Sequence, residues 1–185
     1  MKGVIRVLCG MLLGVSLSSF AINEIEDISP QDAFEKGSTL RLQYHNEQAL
    51  HYLKYAADEG HSMAALLYAD ELSTLSHAAR RQEEIVHYTL QAAQGGNIWA
   101  MERLANTNRS GSEESRVKWQ QRFLTSLEQE AENGNIKAIL TMFYLKRDEE
   151  YKQAKIWLTK ALEQDSERAK LAEVELVEQG YEEWY

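Results

Sequence analysis

Small and large apolar residues recur at helical spacing along this chain. In Ala49-x-x-Tyr52-Leu53-x-x-Ala56-Ala57 they fall at i, i+3, i+4, i+7 and i+8, which is one face of a helix. The same face returns in Ala154-x-x-Trp157-Leu158-x-x-Ala161-Leu162. Followed along the chain, the pattern predicts nine helices, over about 31–43, 46–59, 62–75, 81–94, 97–107, 113–132, 135–146, 149–163 and 166–178. Ser29-Pro30-Gln31-Asp32 opens the first with a capping hydroxyl, a proline at the first helical position and an acid in the first turn. Pro30 is the single proline, so nothing afterwards interrupts a helix. Asn46, Ser62, Asn97, Ser112, Asn135, Asp148 and Ser166 stand where N-caps are expected. Gly60, Gly96 and Gly134 stand where helices close, because a left-handed residue costs least without a Cβ.

The helices repeat as pairs. Ala56-Ala57, Gly60 and Ala64 form one copy of a pattern, and Ala92-Ala93, Gly96 and Ala100 form a second. A third keeps Ala131, Gly134 and Ala138; a fourth reads Ala161-Leu162, Asp165, Ala169, with Asp in the glycine position. The steps are 36, 38 and 31 residues, a period at which helix pairs stack into an array. Small residues on facing helices let the axes approach to the low end of the ~8–10 Å range. The expectation is therefore an all-α solenoid, a superhelix of stacked hairpins, occupying residues 31–185 after a short lead, 22–30.

Ahead of that lead, Lys2 and Arg6 precede an apolar run from Val7 to Leu17, and Ser19-Phe20-Ala21 supplies the small residues of a cleavage site. Residues 1–21 read as a secretory signal peptide, placing the mature chain in the periplasm or outside the cell. The run is short of the ~20 apolar residues a bilayer span needs, so no stable membrane insertion is expected after cleavage. Cleavage removes Cys9, the one cysteine, so no disulfide would support the fold. Losing the cations Lys2 and Arg6 moves the formal charge from −9 to −11. That balance argues against nucleic acid and anionic lipid, and favours a basic partner or plain solubility.

The segments from Ala49 to Tyr68 and from Ala154 to Ala169 resemble the Sel-one-like repeat family, relatives of the tetratricopeptide repeat. The shared signature is an aromatic, paired alanines, then glycine and alanine across the turn. Members usually carry a Gly-x-Gly-Val-x-x-Asp-like linker within each repeat; here Ser73 to Glu83, Asn106 to Ser115 and Lys146 to Glu150 stand instead. The resemblance implies a protein-binding array that works through its inner surface. It also implies two roles: an envelope adaptor or scaffold, or an immunity protein. Small exported proteins of this family neutralise phospholipase effectors of type VI secretion, and such a toxin would be a basic partner.

Candidate chemistry is sparse. His45, His51, His61, His77 and His87 form no His-Glu-x-x-His motif, and His61 is expected to pack a turn. Neither a Gly-x-Ser-x-Gly elbow nor a phosphate-cradling loop stands here. Glu149-Glu150 and Glu182-Glu183 are adjacent pairs that diverge on a helix and read as solvated surface. No catalytic residue, metal or cofactor is expected, and the chain reads as a non-enzyme. Trp99 is the notable side chain. Repeat alignment sets it level with Met63, Lys137 and Arg168, and cations at equivalent positions imply an open face. Trp99 is then either a binding anchor or a side chain packed against the next repeat. Glu102, Arg103 and Arg109 follow it as a polar rim or as ordinary solvated charge. Trp99, Glu102 and Arg103, with Met63 and Lys137, make the candidate partner-binding set. Trp157 aligns with Tyr52 and is expected in the core, whereas Trp119 has no assigned place. The tail from Tyr181 to Tyr185 is read as a cap over Leu176 and Val177 or as a recognition segment.

Overall fold

The computed structural model describes residues 28–107, 111–148, 150–164 and 166–178. The proposed leader at 1–21, most of the lead, Arg109, Glu149, Asp165 and the tail from Tyr181 to Tyr185 lie outside the described residues. Among the described residues the fold is all-α, with nine α-helices. They are α1 (Pro30–Leu42), α2 (Asn46–Asp58), α3 (Ser62–Thr74), α4 (Gln82–Gln94), α5 (Ile98–Asn106), α6 (Glu113–Glu132), α7 (Ile136–Lys146), α8 (Tyr151–Glu163) and α9 (Glu167–Glu178). A 3-10 turn, Ala78–Arg81, precedes α4 and takes up Arg81, expected at its start.

The repeated alanines and glycines have a common cause at the turns. After α2, the His61 amide donates to the Ala56 carbonyl at 2.9 Å and the Gly60 amide to that of Ala57 at 2.8 Å. The same two bonds close α4, from Asn97 to Ala92 and Gly96 to Ala93, and α6, from Asn135 to Glu130 and Gly134 to Ala131. This is the Schellman closure, and it sets Gly60, Gly96 and Gly134 at φ of 92°, 90° and 88°. The α1–α2 turn makes the same pair of bonds with Tyr44 as the left-handed residue, at φ 63°.

Capping follows sequence at five helices and departs from it at three. Ser29, Asn97, Ser112, Asn135 and Ser166 each accept a bond from a first-turn amide. At α3, however, His61 is the cap: its Nδ1 accepts from the Ala64 amide at 3.1 Å, which leaves Ser62 inside the helix. Its ring stacks on Phe34 of α1 with centroids 4.2 Å apart, so His61 packs the turn as well. Asn46 is the first residue of α2 rather than its cap, and His45 before it makes no side-chain cap bond. Asp148 is drawn to its neighbour Arg147, and α8 starts later, at Tyr151 behind Glu150.

The helices pack on their neighbours in sequence order, a solenoid-like arrangement. Ala49, Ala56, Ala57, Ala64, Ala92, Ala93, Ala100 and Ala138 have no exposed surface, so the hairpins meet through their smallest side chains. Leu53, Leu72, Ile85, Leu104, Leu127, Ile139 and Phe143 fill the space between them. Space is tight between α1 and α2, where a Cβ on Gly37 would sit 2.9 Å from Leu53 Cγ. Trp157 is in the core as aligned; Trp119, which had no assigned place, is also buried, beneath the guanidinium of Arg122.

Candidate partner-binding groove

Stacking brings every second helix side by side, and contacts between them bridge residues about one repeat apart. Tyr88 Oη in α4 donates to Asp58 of α2 at 2.6 Å, and Gln91 reaches the Ala57 carbonyl. Arg41 of α1 pairs with the buried Glu71 of α3. On the side formed by α3, α5 and α7, Arg103 pairs with Asp70, and the Asn97 amide contacts Met63 Sδ at 3.6 Å. The Lys137 ammonium lies 3.6 Å from the centre of the Trp99 ring. These links hold the helices in register, so equal steps in sequence become neighbours in space.

The register builds a groove. Met63, Leu66, Leu67 and Asp70 of α3, Trp99, Glu102, Arg103 and Asn106 of α5, and Lys137 of α7 line a depression of about 710 Å³. A second, of about 310 Å³, shares Lys137 and continues over Leu140, Thr141 and Tyr144 of α7 to Arg168, Leu171 and Glu175 of α9. The lining positions of α3, α5 and α7 coincide under the sequence period: each set falls at i, i+3, i+4 and i+7, one helical face. The four helices thus present one continuous row of equivalent sites.

All five candidate residues, Met63, Trp99, Glu102, Arg103 and Lys137, come together in the larger depression. Trp99 is half-buried against the edge of the core, with Lys137 of the next repeat over its ring. It therefore packs against the next repeat, one of the two readings the sequence left open, and also lines an open surface. Arg103 is held by Asp70, which makes it a brace between α3 and α5. Sequence reasoning missed Leu66, Leu67, Asp70, Asn106, Leu140, Thr141, Tyr144, Leu171 and Glu175. The signal was present: the alignment that singled out Trp99 needed only to be read one turn and two turns further along each helix.

Ionisation in the groove is shaped mildly. Burial pushes the Tyr144 phenol above its ordinary value; Glu175 adds to this, and Arg147 opposes it. On the α2–α4 side, burial alone would raise the Asp58 carboxyl, but hydrogen bonds from Lys54 and Tyr88 outweigh it and hold it below its usual range. Burial, and then the Tyr68 hydroxyl's bond to Glu84, pushes the Tyr68 phenol far up, so it stays protonated as a donor between α3 and α4. Among the described residues no three His, Cys, Asp or Glu side chains are grouped to hold a metal ion. Nor is any described helix long and apolar enough to cross a membrane.

No protein-family model, curated protein or solved structure matches this chain.

Proposed function

We propose that this chain is a non-enzymatic protein-binding repeat protein that receives a segment of its partner along the α3–α5–α7–α9 groove. One observation carries the reading: four stacked helices present equivalent positions to two depressions joined at Lys137, with Trp99 in the wall of the larger. A half-buried tryptophan beside Met63 and Leu67 has the composition of a binding hot spot, a large apolar surface ringed by polar groups. The polar groups nearby are braced against each other, as Arg103 and Asp70 are, rather than gathered around a reacting position.

The finer assignments rest on sequence. The signature of aromatic, paired alanines and turn glycine supports a Sel-one-like repeat. The leader-like first 21 residues support export, and together these favour an adaptor or scaffold of the bacterial envelope. A periplasmic immunity protein against an antibacterial effector is the alternative role that the same resemblance carries.

Affinity capture from the native cell envelope, with mass spectrometry, tests the reading. An adaptor recovers several envelope proteins; an immunity protein recovers a single effector. Trp99→Ala is expected to weaken capture by at least ~2 kcal/mol while helix content is unchanged. Full capture by a folded Trp99→Ala variant would remove the groove from the function.

A further inference from the structure

The chemistry of the groove changes along the array. In the first turn of its four helices the equivalent residues are Met63, Trp99, Lys137 and Arg168, apolar in the first two and cationic in the last two. Lys137 and Arg168 are both exposed, and both line the smaller depression. Among the described residues neither has a carboxylate within salt-bridge distance, and the Lys137 ammonium rests on the Trp99 ring instead. Arg103 differs, because Asp70 already neutralises it. The remaining acids of the wall stand off this row: Glu102 is one helical turn beyond Trp99, and Glu175 two turns beyond Arg168.

An apolar slot followed by two unneutralised cations is complementary to an apolar side chain followed by carboxylates. We propose that the occupant is an extended acidic segment of the partner protein, with an apolar side chain against Trp99 and carboxylates on Lys137 and Arg168. This rests on the protein-binding reading above and specifies its ligand. Packed helices stand about 8–10 Å apart, and an extended chain advances about 3.3 Å per residue. The three anchoring residues are therefore spaced about three apart, apolar-x-x-acid-x-x-acid. The chain's net charge of −9 opposes such a ligand at long range. At physiological salt that field is screened beyond about 8 Å, so the cations in contact decide.

The test uses three synthetic blocked peptides in a Gly/Ser background, each with one leucine and then two residues at three-residue spacing: Glu, Gln or Lys. Titrated into the full chain by fluorescence anisotropy, the Glu peptide is expected to bind at least about ten-fold tighter than the other two. The double variant Lys137→Glu, Arg168→Glu should invert the order, so that the Lys peptide leads. Both side chains are exposed, but Lys137→Glu also removes the contact with Trp99, so circular dichroism checks that helix content is kept. Arg168→Gln alone, which leaves that contact in place, supplies a milder check with a loss of about three-fold or more. Equal binding of the Glu and Gln peptides, no detectable binding of any peptide, or an order unmoved by charge reversal would each overturn the proposal. Failure here is separate from failure of the function: a Trp99-dependent capture with no acidic preference keeps the groove and discards its proposed ligand.

Discussion

The two ends of the array are built differently. At the N-terminal end, α1 turns Gln31, Asp32, Glu35 and Thr39 to solvent and is tied inward by polar contacts. Arg41 meets Glu71, the Gln31 amide oxygen lies 3.1 Å from His61 Nε2, and Tyr55 Oη donates to the Ile28 carbonyl at 3.2 Å. At the C-terminal end, α9 packs most sparsely on its neighbour and leaves Leu171 63% and Val174 53% exposed. In earlier repeats the residues equivalent to Val174, namely Ala69, Ala105 and Phe143, are all buried by the helix that follows. Likewise Leu66 and Leu140, equivalent to Leu171, are buried. Terminal repeats need a polar outer face, and α1 has one where the described part of α9 does not. Stability in such an array is a sum of local terms, so the two ends should open at different costs.

The largest effect expected from this asymmetry separates two buried leucines. Leu53 lies between α1 and α2 with no exposed surface, and Leu176 is nearly as buried in α9. Leu53→Ala should cost about 2–5 kcal/mol, because it opens a cavity between strongly packed helices. Leu176→Ala should cost less, since α9 can detach before the rest unfolds and its cost is capped by the free energy of docking that one helix. Urea unfolding checks this, with hydrogen exchange showing α9 amides unprotected ahead of those in α2 and α3. Equal losses would mean that the array unfolds as one unit.

Overpacking probes the middle of the array. Ala100 has no exposed surface and sits in the first turn of α5. Ala100→Leu should destabilise by about 1–3 kcal/mol, measured as a lowered thermal midpoint. Ala169, its equivalent in α9, should tolerate leucine better, because the sparsely packed helix can shift outward. An unchanged midpoint for Ala100→Leu would refute the close approach of the two helices.

These alanines also show why the fold was legible in sequence and the site only partly so. The Schellman turn needs a left-handed residue four positions after its first free carbonyl, and close helix approach needs small side chains beside it. Both demands fall on residues near in sequence, so period and fold class could be read directly. Tyr44 escaped because its left-handed conformation breaks the glycine rule, and His61 because an imidazole in a cap position carries no propensity signal. The groove depends on pairs such as Arg103 with Asp70 and Lys137 with Trp99, which sequence leaves 33 and 38 residues apart. Residue type marked Trp99, but only stacking shows which ring, cation and acid share a wall.

A smaller effect distinguishes the N-terminal half through pH. Asp58 is held below its ordinary carboxyl value, so its favourable contribution is present above that value and is lost as pH falls through the folded one. Lys54 is raised, chiefly by its bond to Asp58, so its contribution is lost only as pH rises past the usual lysine range. Both side chains are nearly half exposed, which limits the acid-induced loss to below about 1 kcal/mol. Asp58→Asn should flatten the fall in stability below about pH 4, the usual aspartate value. An unaltered slope in that variant would assign the acid sensitivity to other carboxylates.

The smallest expected change is a gain. Tyr44 is 90% exposed and occupies the left-handed position that glycine fills in three later turns, with the same two backbone bonds formed around it. A left-handed L-residue carries about 1–2 kcal/mol of strain, whereas glycine costs about 0.5–1 kcal/mol in extra unfolded-state freedom. The strain exceeds the entropy, so Tyr44→Gly should stabilise by about 0.5–1 kcal/mol. The reverse change belongs at Gly60, where an added Cβ would meet no atom within 4 Å. Gly60→Ala should therefore lose about 1 kcal/mol through backbone conformation alone. Opposite signs from the two substitutions, read as shifts in urea midpoint, would show that these turns share one conformational requirement. If Tyr44→Gly instead destabilises, the tyrosine ring supports the α1–α2 turn by a contact that outweighs its strain, and the well-tied end of the array owes part of its strength to that residue.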